Sequence, residues 1–149
     1  MAQPFRLQIL LDLAKDKLDA ATIELQRLRQ HWSEAQSKFD QLTGYQTEYA
    51  NGLQEKLSAG IPSHLMTDYR LFLEKLARAI RAQGEEVERR RGAWQRAHEE
   101  WLALKQREQA LDALLQRHRA AQSLQETRRD QKEQDEFASK SARESPLRR

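Results

Sequence analysis

Ser58-Ala59-Gly60-Ile61-Pro62-Ser63-His64 divides the chain into two long patterned stretches and carries the Gly–Pro cluster between them. Gly60 suits the end of a helix, where a positive φ is wanted. Pro62 has no N–H to donate and restricts Ile61 to extended backbone. Ser63 suits the cap of a following helix. A connection this short, set between two helices, makes them antiparallel neighbours in one chain.

Before the break, apolar residues recur at alternating steps of four and three. They are Leu7, Leu11, Ala14, Leu18, Ala21, Leu25, Leu28, Trp32, Ala35, Phe39, Leu42, Gln46, Tyr49 and Leu53, with Gln46 the one polar member. After it the same rule gives Tyr69, Leu73, Leu76, Ile80, Gln83, Val87, Arg90, Trp94, Ala97, Trp101, Leu104, Glu108, Leu111 and Leu115. A mean step of about 3.5 residues keeps one stripe on a partner helix, where an ordinary amphipathic helix drifts off it. Past Leu115 the phase lands on His118, Gln122 and Gln125, so the apolar seam ends there. Good helix formers from Ala120 to Lys132 allow the helix to continue unpaired.

Centring the turn between Ile61 and Pro62 makes paired residue numbers add to about 123. Leu7 then lies opposite position 116, where the second seam stops. The predicted fold is an all-α antiparallel two-helix coiled coil, a rod about 75 Å long with an overhang of about 20 Å on the second helix. The expected hairpin spans 1–138, with helix one over 5–58, the turn over 59–64 and helix two over 65–138; a flexible tail takes 139–149. Trp32 is expected to pack on Trp94, and Trp101 near Leu25 and Ala21.

Composition sets several classes aside. Nothing alternates like a strand. The absence of cysteine removes disulfides, thiolate metal sites and cysteine nucleophiles. His31, His64, His98 and His118 stand far apart, without metal-ligand spacing. No Gly-rich phosphate loop, signal peptide or apolar run of about 18 residues is present. The reading is a non-enzymatic protein without cofactor or metal, resident in the cytosol.

Charge is spread rather than patched. The net charge is −1 over residues 1–64, +1 over 65–116 and +3 over 117–149. Arg89-Arg90-Arg91 is a local basic cluster, but Glu85, Glu86 and Glu88 stand within a helical turn of it, which favours ion pairs on a solvated surface. Arg90 falls on the seam, so it either snorkels outward or meets a carboxylate. A nucleic-acid-binding coiled coil would use this cluster and the basic tail. A purely structural homodimer would use a residual apolar stripe. Neither has a dense signal.

One flank carries more aromatic surface than the seam needs. With Leu42, Tyr49, Tyr69 and Leu76 as d positions, Tyr45, Phe72 and Ala79 are g positions, and the g residues of an antiparallel pair share one side. Tyr45, Phe72 and Ala79 should therefore gather beside Leu42, Tyr49 and Leu76, either as a protein-binding patch or as extra core near the turn.

The stretches Tyr45-Gln46-Thr47-Glu48-Tyr49, Ser58-Ala59-Gly60-Ile61, Tyr69 with Phe72, and Asp130-Gln131-Lys132 followed by Asp135-Glu136-Phe137-Ala138 resemble the flagellar type III export protein family FliJ. The resemblance covers nearly the whole chain. It implies a hairpin like the stalk subunit of rotary ATPases, binding a hexameric flagellar export ATPase and promoting its assembly and activity. It also implies contact with an FlhA-like export gate protein and with export chaperones, and no partnership with nucleic acid. The implied location is the cytoplasmic face of the inner membrane, peripherally and without insertion. An injectisome stalk protein is the alternative.

Carried over by resemblance, the gate-binding surface falls on Leu42, Tyr45, Tyr49, Phe72, Leu76 and Ala79. Lys38 and Gln83 stand where some relatives carry Gln and His. The ATPase-binding end is placed at the free helix termini, on Arg6, Leu7 and Leu11 of helix one and on Arg119, Leu124, Arg128, Lys132 and Phe137 of helix two.

Overall fold

Two helices account for nearly all of residues 2–144, which the computed structural model describes: α1, Ala2–Ala59, and α2, Ser63–Glu144. No strand occurs among the described residues. α2 continues through Ser139–Glu144, which the sequence placed in the tail; the remainder of that expected tail, 145–149, lies outside the described residues.

The break is built as its residues dictate. Gly60 has φ 85°, a conformation that costs a side chain roughly 1–2 kcal/mol. Its N–H donates to the Leu57 carbonyl at 3.3 Å. The Pro62 carbonyl accepts from the N–H groups of Leu65 and Met66, at 3.1 and 3.3 Å. Pro62 is thus the half-in residue that opens α2, and Ser63, expected as the cap, is its first helical residue. Lys56 Nζ straps the two sides together by donating to the Tyr69 hydroxyl at 2.7 Å.

The chain divides into two compact units, Met1–Leu18 with Leu104–Arg149, and Asp19–Ala103. In each, a stretch of α1 packs antiparallel on a stretch of α2, giving the all-α antiparallel helical hairpin that the seams predict. In the first unit Leu7, Leu11 and Leu115 form a buried cluster with Leu111 packed against it. In the second, Trp101 meets Thr22 and Phe39 meets Gly84, and in both pairs the residue numbers add to 123. The same unit pairs Trp32 with Trp94, ring centroids 5.4 Å apart.

Burial follows the seam closely. All fourteen seam residues of α2 are buried or half-buried, and on α1 only Tyr49 is exposed. Among the described residues six apolar side chains are buried, Leu7, Leu11, Ala14, Ala35, Leu76 and Leu115. A two-helix contact covers one side of each knob, so a thin core is the physical consequence of this architecture. The polar seam members are accommodated by hydrogen bonds. Gln83 Nε2 donates to the Ala35 carbonyl at 2.9 Å. Arg90 Nη1 donates to the His31 carbonyl at 2.9 Å, while its Nε meets Glu86 at 2.8 Å. Of the two outcomes expected for Arg90, snorkelling outward or meeting a carboxylate, the carboxylate is met, and the same long side chain also reaches α1 main chain.

Candidate partner-binding surfaces

The turn-proximal surface starts from a steric fact: two helices cannot enclose a large ring on every side. Tyr49 and Phe72 meet with ring centroids 4.6 Å apart and a tilt of 50°. Each remains 43% exposed, whereas Leu76, one turn further along α2, is 8% exposed. Phe72 and Tyr49 therefore lean over the seam without closing it. An open groove lined by Tyr49, Leu65, Asp68, Tyr69 and Phe72 runs beside them. A second groove joins Tyr45, Glu48, Tyr49, Gly52 and Tyr69.

The six residues carried over for gate binding are thus differently placed. Tyr49 and Phe72 touch, and Tyr45 joins them along the groove that it shares with Tyr49. Leu42 is half-buried, Ala79 is exposed, and Leu76 lies beneath as core. Leu65 and Asp68 complete the lining of the first groove. Sequence phase had not singled them out, because they lie in the first turn and a half of α2, before its seam begins.

The terminal surface belongs to the other unit. Leu7 and Leu11 are buried against Leu115, while Arg6 is exposed. Arg119 Nη2 donates to Gln8 Oε1 at 2.9 Å, tying α2 to the first turns of α1. From Ser123 to Glu144 every residue is exposed, including Leu124, Arg128, Lys132 and Phe137. Phe137 lines a shallow groove with Asp130, Glu133 and Gln134. Phe5, Ile9 and Leu13 are also exposed, in an i,i+4 row on the face of α1 opposite the seam. That row was legible as a second apolar periodicity, hidden behind the stronger one.

The basic cluster is neutralised locally. Arg89 and Arg90 pair with Glu86, and Arg91 pairs with Glu88. Hydrogen bonds from Arg89 and then Arg90 hold the Glu86 carboxyl below the usual carboxylate range, and Arg91 does the same to Glu88. The cluster is therefore a poor phosphate track. No group of His, Cys, Asp and Glu able to hold a metal occurs among the described residues, and no helix there is long and apolar enough to cross a membrane.

Comparison with known proteins places the chain in a family. The Flagellar FliJ protein of Escherichia coli (strain K12) is 34% identical over 146 residues, covering 98% of this chain and 99% of the relative. The Flagellar FliJ protein of Salmonella typhi matches with the same identity and coverage. The family model described as Flagellar FliJ protein matches residues 3–146, and the chain belongs to that family.

Proposed function

We propose that this chain works in flagellar protein export as a non-enzymatic stalk-like partner of a hexameric export ATPase, and that it links the ATPase to an FlhA-like export gate. Family membership supports the flagellar setting. The observation that carries the gate contact is the Tyr49–Phe72 pair, left half open over a buried Leu76 beside an apolar groove. Large aromatics held rigidly at a surface are typical binding anchors.

In this reading the gate contacts Leu42, Tyr45, Tyr49, Phe72 and Ala79, with Leu76 as the floor. The ATPase takes the exposed, mostly polar α2 segment that includes Arg119, Leu124, Arg128, Lys132 and Phe137, with Arg6 beside it. Leu7 and Leu11 contribute by fixing the helix pair that presents those residues, since their side chains are buried. A helix with no packed partner has polar, adaptable surface on all sides, which suits contact with repeated subunits of a ring. Export chaperones are further partners in this reading.

The test is a pair of variants measured against two purified partners. Tyr45→Ala with Phe72→Ala should weaken binding to the export gate protein and leave ATPase binding intact. Truncation after Gln122 should do the reverse. A double alanine variant that loses the ATPase but keeps the gate would overturn the assignment of surfaces.

A further inference from the structure

The middle of the Asp19–Ala103 unit carries an aromatic and cationic patch that the proposed gate and ATPase contacts leave unused. It stands on the e positions of the two helices, the flank away from Tyr45 and Phe72 on the g positions. Arg29 lies with its guanidinium carbon 4.2 Å from the Trp32 ring centroid and 5.7 Å from that of Trp94. His98 stacks on Trp94 at 5.0 Å and on Trp101 at 6.1 Å, each with an interplanar angle of 19°. Trp101 is fixed in turn by its indole N–H, which donates to Thr22 Oγ1 at 2.9 Å. The indoles are half-buried, so their positions are set while part of each ring faces solvent.

Arg29 differs from four of the other arginines of this unit. Arg27, Arg89, Arg90 and Arg91 each pair with a glutamate three or four residues away. The residues at those distances from Arg29 are Leu25, Gln26, Trp32 and Ser33, none of them acidic. Its cation is held by ring faces alone, which leaves the N–H edges of the guanidinium available to an acceptor. Through this unit no e position of either helix is a carboxylate, whereas the g positions include Glu24, Glu86 and Glu100. The part of the flank around Arg29 is thus electrostatically suited to an acidic ligand, with Asp40 the carboxylate that lines the far end of the hollow along α1.

Its shape selects the kind of ligand. Leu25, Arg29 and Trp32 follow one another along α1 at steps of four and three, as Trp94, His98 and Trp101 do along α2. Two such rows form a groove between helix ridges, the shape a third helix fills. One hollow on this flank is lined by Leu25, Gln26, Arg29 and Gln30 of α1 with Trp94 of α2, and a second runs along α1 from Arg29, Trp32 and Ser33 to Gln36, Ser37 and Asp40. A nucleic acid strand would need several free cations, but Arg91, the e-position arginine of α2 in the middle of this unit, is already paired with Glu88.

We propose that this flank docks an amphipathic helix of a partner protein, with its apolar ridge on Trp32, Trp94 and Trp101 and a carboxylate on Arg29. The site is independent of the turn-proximal aromatic groove, so either can fail without the other.

The full chain is titrated with a synthetic amphipathic helical peptide of Leu and Glu, with a matched Leu and Lys peptide, and with oligothymidine. Binding is read by anisotropy of the labelled probe and by indole emission. The Leu/Glu peptide should bind, move the indole emission and outcompete the other probes. Arg29→Glu should weaken it by about tenfold or more, the size expected for one central anchor, and Arg29→Gln by less. Arg81→Glu, the same charge change outside the patch, should leave it unchanged. Circular dichroism checks that each variant stays helical, and Arg29→Gln decides the matter if Arg29→Glu does not. No binding, equal binding of both peptides, equal losses in Arg29→Glu and Arg81→Glu, or preference for oligothymidine would each overturn the proposal. So would an emission change with protein concentration alone, which would put a second copy of the chain on this flank.

Discussion

Gln83 reaches across the helix pair and donates its Nε2–H to the Ala35 carbonyl at 2.9 Å. Ala35 is 1% exposed, and beside Gln83 a Cβ placed on Gly84 would stand 3.4 Å from the Phe39 ring. The close approach there lets a seam glutamine reach main chain instead of solvent. Gln83→Ala should cost about 1 kcal/mol for the lost hydrogen bond. Ala35→Leu should cost about 1–3 kcal/mol by overpacking. Urea unfolding followed by circular dichroism measures both. A stabilised Ala35→Leu variant would show that the helices separate freely at this level.

Trp32 and Trp94 should behave as one energetic unit. Their rings touch at 5.4 Å and share the Arg29 cation. Because both are half-buried, truncating either to Ala should cost about 2 kcal/mol, less than the roughly 3–5 kcal/mol of a fully buried large aromatic. The double variant should cost less than the sum of the singles, with a coupling of about 0.5–1.5 kcal/mol. Strict additivity in a double-mutant cycle would mean that the ring contact contributes nothing beyond area.

The seam, its register and the break were legible because each rests on a one-dimensional rule. Heptad spacing selected the covered residues, and Gly60 with Pro62 placed the turn. The Trp32–Trp94 contact followed from the register alone, and Trp101 came to rest on Thr22, next to the predicted Ala21. Three things were not legible. Tyr49 has seam phase yet is exposed, since Phe72 competes for the same space and neither ring fits wholly between two helices. The patch around Arg29 depends on where a long side chain settles among three rings, which spacing does not encode. The reach of α2 to Glu144 was also missed: Ser139 and Ser141 weaken the helical signal, but Lys140, Ala142 and Arg143 sustain it.

Acid should loosen the carboxylate–arginine pairs of α2 in a defined direction. Hydrogen bonds from Arg89 and Arg90 depress Glu86, and one from Arg91 depresses Glu88. Their folded values lie below those of the unfolded chain. The stabilisation is therefore fully present above the ordinary glutamate range, about 4.3, and is lost as pH falls through the depressed folded values. These pairs are solvent-exposed, so the effect on global stability is small and is screened by salt. Carboxyl carbon NMR should find Glu86 titrating below its value in an unfolded peptide, and Arg89→Gln should move it back upward. An unshifted Glu86 would show that the pairs do not persist in solution.

Leu76 and Phe72 should separate folding from binding. They lie four residues apart on α2, one forming the floor and the other the open edge of the same surface. Leu76→Ala removes a buried side chain and should cost about 2–3 kcal/mol, toward the lower end of the range for buried leucines because a two-helix seam can partly collapse. Any loss of gate binding in that variant should recover when the hairpin is restabilised, for example at lower temperature. Phe72→Ala removes a ring that is 43% exposed and held mainly by Tyr49. Its stability cost should be about 1 kcal/mol, near the size of an aromatic pair contact, while its gate binding should stay weak at every temperature at which the helices are intact. Thermal unfolding and binding to the purified export gate protein, measured on the same samples, give both quantities. If Phe72→Ala proved as destabilising as Leu76→Ala, the aromatic flank would be core that completes the turn, and the gate contact would have to lie elsewhere.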